Sequence, residues 1–166
     1  MSESTLQELL RGKGAHADPL ACVEDLSWEL AGKKIAGYPH SISQILGHIN
    51  YWIEYELKRV AGQNPAYPEH AIESWPQVSS SDPEQWTEEV RRFASLLQNL
   101  TALANSKPEA LDRQVEIVHS SESSRSSTVR AVLWQLVVHN SYHLGQIAML
   151  RRCMGAWPGP GGGDTW

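Results

Sequence analysis

Two histidines near the end of the chain, His139 and His143, have the spacing of a metal-binding pair. They stand four residues apart in the segment HNSYH. In a helix this spacing places both imidazoles on one face, one turn apart. Rings placed in this way can converge on one ion at the nitrogen–metal distance of about 2.0–2.1 Å that zinc requires. Both residues also fall on the apolar stripe of their segment, so we expect them to face the interior.

His48 is the third candidate ligand. It lies in a separate segment beside Ile45, Ile49 and Trp52, so it too is expected to point towards the core. A single histidine on an apolar face is more often a hydrogen-bonded core residue than a ligand. Three buried imidazoles together are costly unless their nitrogens find partners, and one cation satisfies all three. We therefore predict a site for one divalent metal ion, formed by His48, His139 and His143.

The residues around the pair indicate what such a site does. Asn140 stands where the HExxH motif of zinc proteases has its general base, and an asparagine cannot take a proton. The Glu-x-x-His pattern of di-iron bundles is also missing. Three neutral histidines leave the full charge of the ion and at least one open coordination position. An open site lowers the pKa of a bound water or thiol, which favours catalysis or ligand binding over a purely structural role.

Other polar residues are given ordinary roles. The remaining histidines are expected in solvated termini or loops: His16, His40, His70 and His119. Three residues are close enough in sequence to lie near the metal but are treated as ordinary helix residues: Glu54, Glu56 and Gln146. Cys22 and Cys153 are outside any CxxC pair, so we expect two reduced thiols.

Four helical stretches are predicted to position these side chains. They run from about Asp18 to Ala31, Ser41 to Ala61, Asp82 to Ala104 and Thr128 to Met154. Ser41 with Gln44 forms a capping box, and Asp-Pro opens the first and third stretches. The pattern also allows a short helical turn near Leu6 to Leu10. No segment shows a convincing strand, so the fold class is all-α: an up-down-up-down four-helix bundle forming one domain, residues 1–166.

Three segments between and after these helices are irregular. Residues 62–81 contain prolines and no helical period, and we expect a long connection that wraps over the bundle. Residues 105–127 are polar and serine-rich, which allows a short helix near Glu109 followed by an exposed loop. The tail, GAWPGPGGGDTW, cannot continue a helix, although its tryptophans, Trp157 and Trp166, are suited to anchor it.

Composition excludes several classes of partner. The chain has 166 residues, a net charge of −5 and no large basic cluster, which argues against nucleic acid. No apolar run approaches the roughly 20 residues that span a membrane. The first residues lack the apolar core of a signal peptide, so a cytoplasmic location is expected by default.

The chain resembles the DinB-like family of metal-binding helical bundles. The resemblance rests on residues 39–57 (PHSISQILGHINYWIEYEL), residues 128–152 (TVRAVLWQLVVHNSYHLGQIAMLRR) and the tail, residues 155–166. It implies a bundle with a long connection after the second helix and a metal triad that maps onto His48, His139 and His143. It also implies a homodimer that holds zinc or nickel.

The resemblance suggests an activity as well, because some family members are thiol-dependent transferases and one relative is a maleylpyruvate isomerase. The leading hypothesis is a metal-dependent enzyme that activates a low-molecular-weight thiol for transfer to an electrophile. A metal-dependent hydrolase is the second hypothesis. The third is a non-catalytic dimeric module that the metal stabilises.

Overall fold

The protein is mainly helical and has one small sheet. The computed structural model describes residues 5–118 and 124–159. In this part of the chain there are six α-helices: α1 (Thr5–Leu10), α2 (Trp28–Gly32), α3 (Ile42–Val60), α4 (Pro83–Ala104), α5 (Pro108–Leu111) and α6 (Val129–Cys153). Two antiparallel strands, β1 (Gln114–Val118) and β2 (Ser124–Thr128), precede α6. A 3-10 turn, Ala71–Ser74, lies between α3 and α4.

The three long helices begin where the cap signals predict. The Ser41 hydroxyl accepts from the amide of Gln44, whose side chain accepts from the Ser41 amide, so the predicted capping box opens α3. Asp82 caps α4 with proline following it, and Thr128 caps α6. The predictions for these helices and for the short helices near Leu6 and Glu109 are therefore confirmed.

These helices share one apolar core. Most of its fully buried side chains come from α3, α4 and α6, among them Leu46, Ile49, Ile53, Phe93, Leu100, Leu133 and Ile147. No helix of the described residues is long and apolar enough to cross a membrane. The up-down-up-down arrangement of four helices stays a prediction, because only three of the predicted long helices form.

The predicted first helix, Asp18 to Ala31, is wrong over most of its length. Residues 19–25 form turns, and only α2 is helical. The carbonyl oxygens of Ala21 and Cys22 accept from the buried guanidinium of Arg151 rather than from amides further along the chain. Arg151 also forms a two-pronged ion pair with Asp25, at 2.8 Å for each bond. This tertiary contact replaces the helix that the local pattern predicted.

The chain is mainly helical, as predicted, but the serine-rich segment contains a strand pair that was not predicted. β1 and β2 pair in register from Gln114 with Thr128 to Val118 with Ser124. The sequence of β1, QVEIV, is rich in β-branched residues, which favour strands. Val115 is buried, so the pair covers one end of the core.

The long connection between α3 and α4, which was predicted to wrap over the bundle, packs against the start of α3. The hydroxyls of Ser41 and Ser43 pair with those of Ser79 and Ser80, at 2.7 and 2.9 Å. The side-chain amide of Gln44 donates to the carbonyl oxygen of Pro76 at 2.8 Å. The connection is therefore bonded to the first turn of α3.

The described part of the tail is anchored, as predicted for Trp157. The guanidinium of Arg151 lies 5.3 Å from the Trp157 ring centroid, and that of Arg152 lies 5.7 Å from it. Such cation–π contacts contribute about 0.5–1 kcal/mol at exposed sites. Trp166 lies outside the described residues.

Gly47 permits the close contact between α3 and the connection, which yields a prediction. A Cβ atom at this position would lie 2.4 Å from Pro76 Cγ, whereas one at Gly145 in α6 would have no neighbour within 4 Å. Gly47→Ala should destabilise the protein by about 1–3 kcal/mol, because overpacking outweighs the gain in helix propensity of about 1 kcal/mol. Gly145→Ala, the matched control, should be neutral or stabilising. Urea unfolding checks both, and equal stability of the two variants would contradict the close contact.

Candidate metal centre

The three predicted ligands come together between α3 and α6. His48 lies mid-way along α3, and His139 and His143 lie one turn apart on α6. Their ligand atoms all lie within 4.8 Å of one another. The Nε2 atoms of His48 and His139 are 3.3 Å apart. Two nitrogens bound tetrahedrally to one zinc at its usual distance would be about 3.4 Å apart, so this spacing suits a shared ion.

His48 is held in one tautomer by the 3-10 turn. Its Nδ1 atom lies 3.1 Å from the carbonyl oxygen of Ser74 and 3.1 Å from the Ser74 hydroxyl oxygen. That hydroxyl donates to the carbonyl oxygen of Ala71, so both Ser74 oxygens act as acceptors for His48. The network therefore assigns the proton to Nδ1 and leaves the Nε2 lone pair of His48 directed at His139.

His143 is oriented in the same way by a residue of its own helix. Its Nδ1 atom lies 2.8 Å from the side-chain carbonyl oxygen of Gln146, three residues on. An Nδ1–H that donates to this oxygen leaves Nε2 as the metal-binding nitrogen. For His139 the corresponding contact, from Nδ1 to the side-chain oxygen of Asn140, is long at 3.5 Å. His139 is thus the ligand with the weakest support.

Trp75 fixes the plane of the His48 ring. The two rings stack with centroids 3.8 Å apart and an angle of 8° between their planes. On its other face Trp75 stacks against His40, also at 3.8 Å, and its edge approaches His143 at 5.6 Å. The connection after α3 therefore supplies both a hydrogen-bond acceptor and an aromatic wall to the centre.

The three imidazoles are neutral at pH 7, the form that binds metals. Burial, together with the smaller effect of the neighbouring histidines, lowers the pKa of His48 to about 4 and that of His139 to about 4. Burial also lowers the pKa of His143, against the opposing effect of Gln146. In the metal-free protein a proton on Nε2 of His139 would be donated to the Nε2 lone pair of His48 at 3.3 Å, and a bound cation would take the place of that proton.

The donor set suits a divalent metal ion with an open position. Within residues 5–118 and 124–159, the group able to share one ion consists of the three histidines, with no carboxylate or thiolate. Imidazole ligands suit zinc, nickel and copper. Since most structural zinc sites have four protein ligands, a site with three leaves room for a water or a substrate.

A pocket opens beside the centre on the His139 side. It has a volume of about 300 Å³ and lies between α3, α6 and the connection. His48 and His143 are 6% and 5% exposed, whereas His139 is only half-buried and lines the pocket. A molecule in the pocket would therefore reach the metal position past His139. Cavities elsewhere, such as one of about 480 Å³ between α1 and α4, contain none of the three ligands.

The sequence pattern indicated the three histidines that come together but not most of their surroundings. His40 was expected to be solvated, yet it is half-buried against Trp75. Ser74 and Trp75 gave no periodic signal, and only the unusual length of their connection suggested a role. Gln146 was treated as an ordinary helix residue, although its position three residues after His143 is compatible with a hydrogen bond on one helix face. His119 lies outside the described residues.

The contact between Gln146 and His143 yields a second prediction. Gln146→Leu removes the acceptor for Nδ1–H, so the affinity for zinc should fall about 10–100-fold, the usual effect of losing such a partner. Gln146→Glu keeps an acceptor and should bind zinc at least as tightly as the wild type. Gln98→Leu, on an exposed part of α4, is the control. Competition titration with a chelator measures all four proteins, and wild-type affinity in Gln146→Leu would contradict the assignment.

Comparison with known proteins places this geometry in a family. No curated protein matches the chain. The family model described as the DinB family matches residues 1–161, which is nearly the whole chain and includes all three histidines. The chain belongs to the DinB family.

Proposed function

We propose that this protein is a metal-dependent transferase that attaches a low-molecular-weight thiol to an electrophile. The observation that carries the proposal is the set of three neutral histidines with a pocket beside the most accessible of them. A divalent ion held there would lower the pKa of a thiol and so supply a thiolate near neutral pH. Zinc and nickel are the ions we expect, because both accept imidazole ligands.

In the proposed reaction a carbon–sulfur bond forms and the bond from that carbon to its leaving group breaks. The leaving group departs with the bonding electron pair, and the thiol proton passes to solvent. The protein's own groups hold the ligands and exclude water. Ser74 and Gln146 keep the lone pairs of His48 and His143 directed inwards. Trp75 covers one face of His48 and shields it from solvent.

The three-histidine group contains no carboxylate, and the Glu56 carboxylate in the adjoining pocket forms an ion pair with Arg59, which distinguishes this proposal from hydrolysis. Metal-assisted hydrolysis of a peptide commonly uses a glutamate beside the site as general base. In the described part of the chain no carboxylate belongs to the metal-binding group, and Asn140 occupies the position after His139. A thiol that is already ionised needs no such base, which is why transfer is favoured here.

A direct assay tests the function. The assay mixes zinc- or nickel-loaded protein with a panel of bacterial thiols and an electrophile, such as a chlorinated aromatic compound or an epoxide. Mass spectrometry should detect the thioether product. His48→Ala, His139→Ala and His143→Ala should each lose metal and reduce turnover at least 100-fold. No thioether with any thiol would reject the proposal. Turnover of esters without a thiol would favour a hydrolase, and a metal closed off by a fourth protein ligand would favour a structural module.

We also propose a homodimer, with α6 as the contact surface. Four apolar side chains of α6 remain exposed at mostly four-residue spacing: Trp134, Val138, Tyr142 and Met149, at 41%, 66%, 65% and 48%. This spacing places them on one face of the helix. A surface of this kind can pair with a second copy of itself about a two-fold axis, because the same apolar face is presented by both subunits.

A charged residue introduced into the proposed contact surface tests the dimer. Val138→Glu would bury two carboxylates in the contact and should convert the dimer to monomer in sedimentation equilibrium. Gln98→Glu adds the same charge on exposed α4 and should leave the dimer intact. A monomeric wild type at micromolar concentration would reject the dimer, and a dimeric Val138→Glu would reject the surface.

A further inference from the structure

Three aromatic side chains form a continuous wall in the pocket beside His139. Trp52, Tyr55 and Tyr67 all line it. The ring of Trp52 lies 5.3 Å from that of Tyr55 and 5.7 Å from that of Tyr67, and the two tyrosine rings are 6.0 Å apart. Because the rings contact one another, there is no gap between them for a cation to be enclosed. The wall instead offers ring faces and edges to a flat molecule lying against it.

Arg59 supplies polar groups to the same pocket. It is 8% exposed and lies two turns after Trp52 on α3, about 10 Å along the helix axis. Of the five N–H groups of a guanidinium, three donate to groups in the described part of the chain. Nη1 donates to Glu56 at 2.6 Å, and Nε and Nη2 donate to the carbonyl oxygen of Glu116 at 3.2 and 2.9 Å. N–H groups remain for a ligand.

In the described part of the chain, the guanidinium of Arg59 is paired with the carboxylate of Glu56. Glu56 forms a buried ion pair with Arg59, with each side chain 7% exposed, and both line the pocket. Glu116 and Arg59 also line an adjoining cavity of about 220 Å³. An anion brought to Arg59 would therefore meet the charge of Glu56 at low dielectric, where repulsion is strong. An uncharged acceptor uses the same N–H groups without that cost.

We propose that this pocket binds a flat, uncharged aromatic or conjugated molecule whose carbonyl or similar acceptor group is directed at Arg59. The pocket's volume of about 300 Å³ is at the lower end of the range for small-molecule sites. The distance from Trp52 to Arg59 suits a ligand of about two fused rings. If the bound molecule is the electrophile, it would lie beside the metal-bound thiol, and in this respect the inference rests on the proposed function. The affinity of the pocket for such a molecule can be measured without any turnover.

The test compares three probes in zinc-loaded protein: naphthalene-2-carboxamide, naphthalene-2-carboxylate and the saturated decahydronaphthalene-2-carboxamide. Calorimetry and saturation-transfer NMR should show the aromatic amide binding at least tenfold more tightly than either other probe. The same titration after removal of the metal with a chelator measures the part of the carboxylate's affinity that comes from the ion, which is subtracted. Equal affinity for the carboxylate, or for the saturated amide, would overturn the inference.

Variants assign the binding to these side chains. Tyr67→Leu should weaken the aromatic amide at least fivefold, whereas Tyr38→Leu, an exposed tyrosine outside the pocket, should have no effect. Glu56→Gln keeps an acceptor for Arg59 and removes the negative charge, so the carboxylate should gain at least tenfold relative to the amide. Wild-type preferences in Glu56→Gln would reject the role of charge balance. Failure of thiol transfer would leave these results standing, and failure of binding would leave the metal–thiol proposal standing.

Discussion

The centre of this protein depends on the cost of burying three imidazoles between two helices. Each ring gives up water, which lowers its pKa and keeps it neutral, and the Nε2 atoms of His48 and His139 face each other at 3.3 Å. Buried polar atoms of this kind are stable only when they have partners. On the outer side the partners are Ser74 and Gln146, and on the inner side a metal ion would supply the partner that the protein does not.

The connection after α3 forms part of the candidate metal centre, because it provides contacts that the helices do not provide. A helix pair alone offers His48 neither an acceptor nor a stacking partner. Ser74 and Trp75 provide both, and serine pairs with the first turn of α3 hold that segment in place. Gly47 allows Pro76 to lie against α3 at the position immediately before His48. Local packing of the loop and geometry of the metal centre are therefore coupled.

Burial also separates reactive groups from inert ones. Cys22 lies in the core, and burial raises the pKa of its thiol to about 12, so it is not a nucleophile at neutral pH. The proposed reaction accordingly uses an external thiol, admitted on the side where His139 is half-buried. The aromatic wall and the balanced Glu56–Arg59 pair lie on that side too, so thiol and electrophile would meet at one edge of α3.

The sequence by itself determined the parts that depend on local spacing. Apolar periodicity and cap residues predicted α3, α4 and α6, and the four-residue step between His139 and His143 predicted one shared face. These features depend only on residues that are close together along the chain, so they can be predicted from the sequence alone.

Tertiary structure decided what depends on distant partners. Arg151, whose bonds reach back to residues 21–25, replaced a predicted helix by turns. Strand pairing across the serine-rich segment produced β1 and β2. Trp75 is positioned by its stacking on His48, and Arg59 by its hydrogen bond to the carbonyl oxygen of Glu116. None of these contacts produces a periodic pattern in the sequence, because each joins residues that are brought together only by folding.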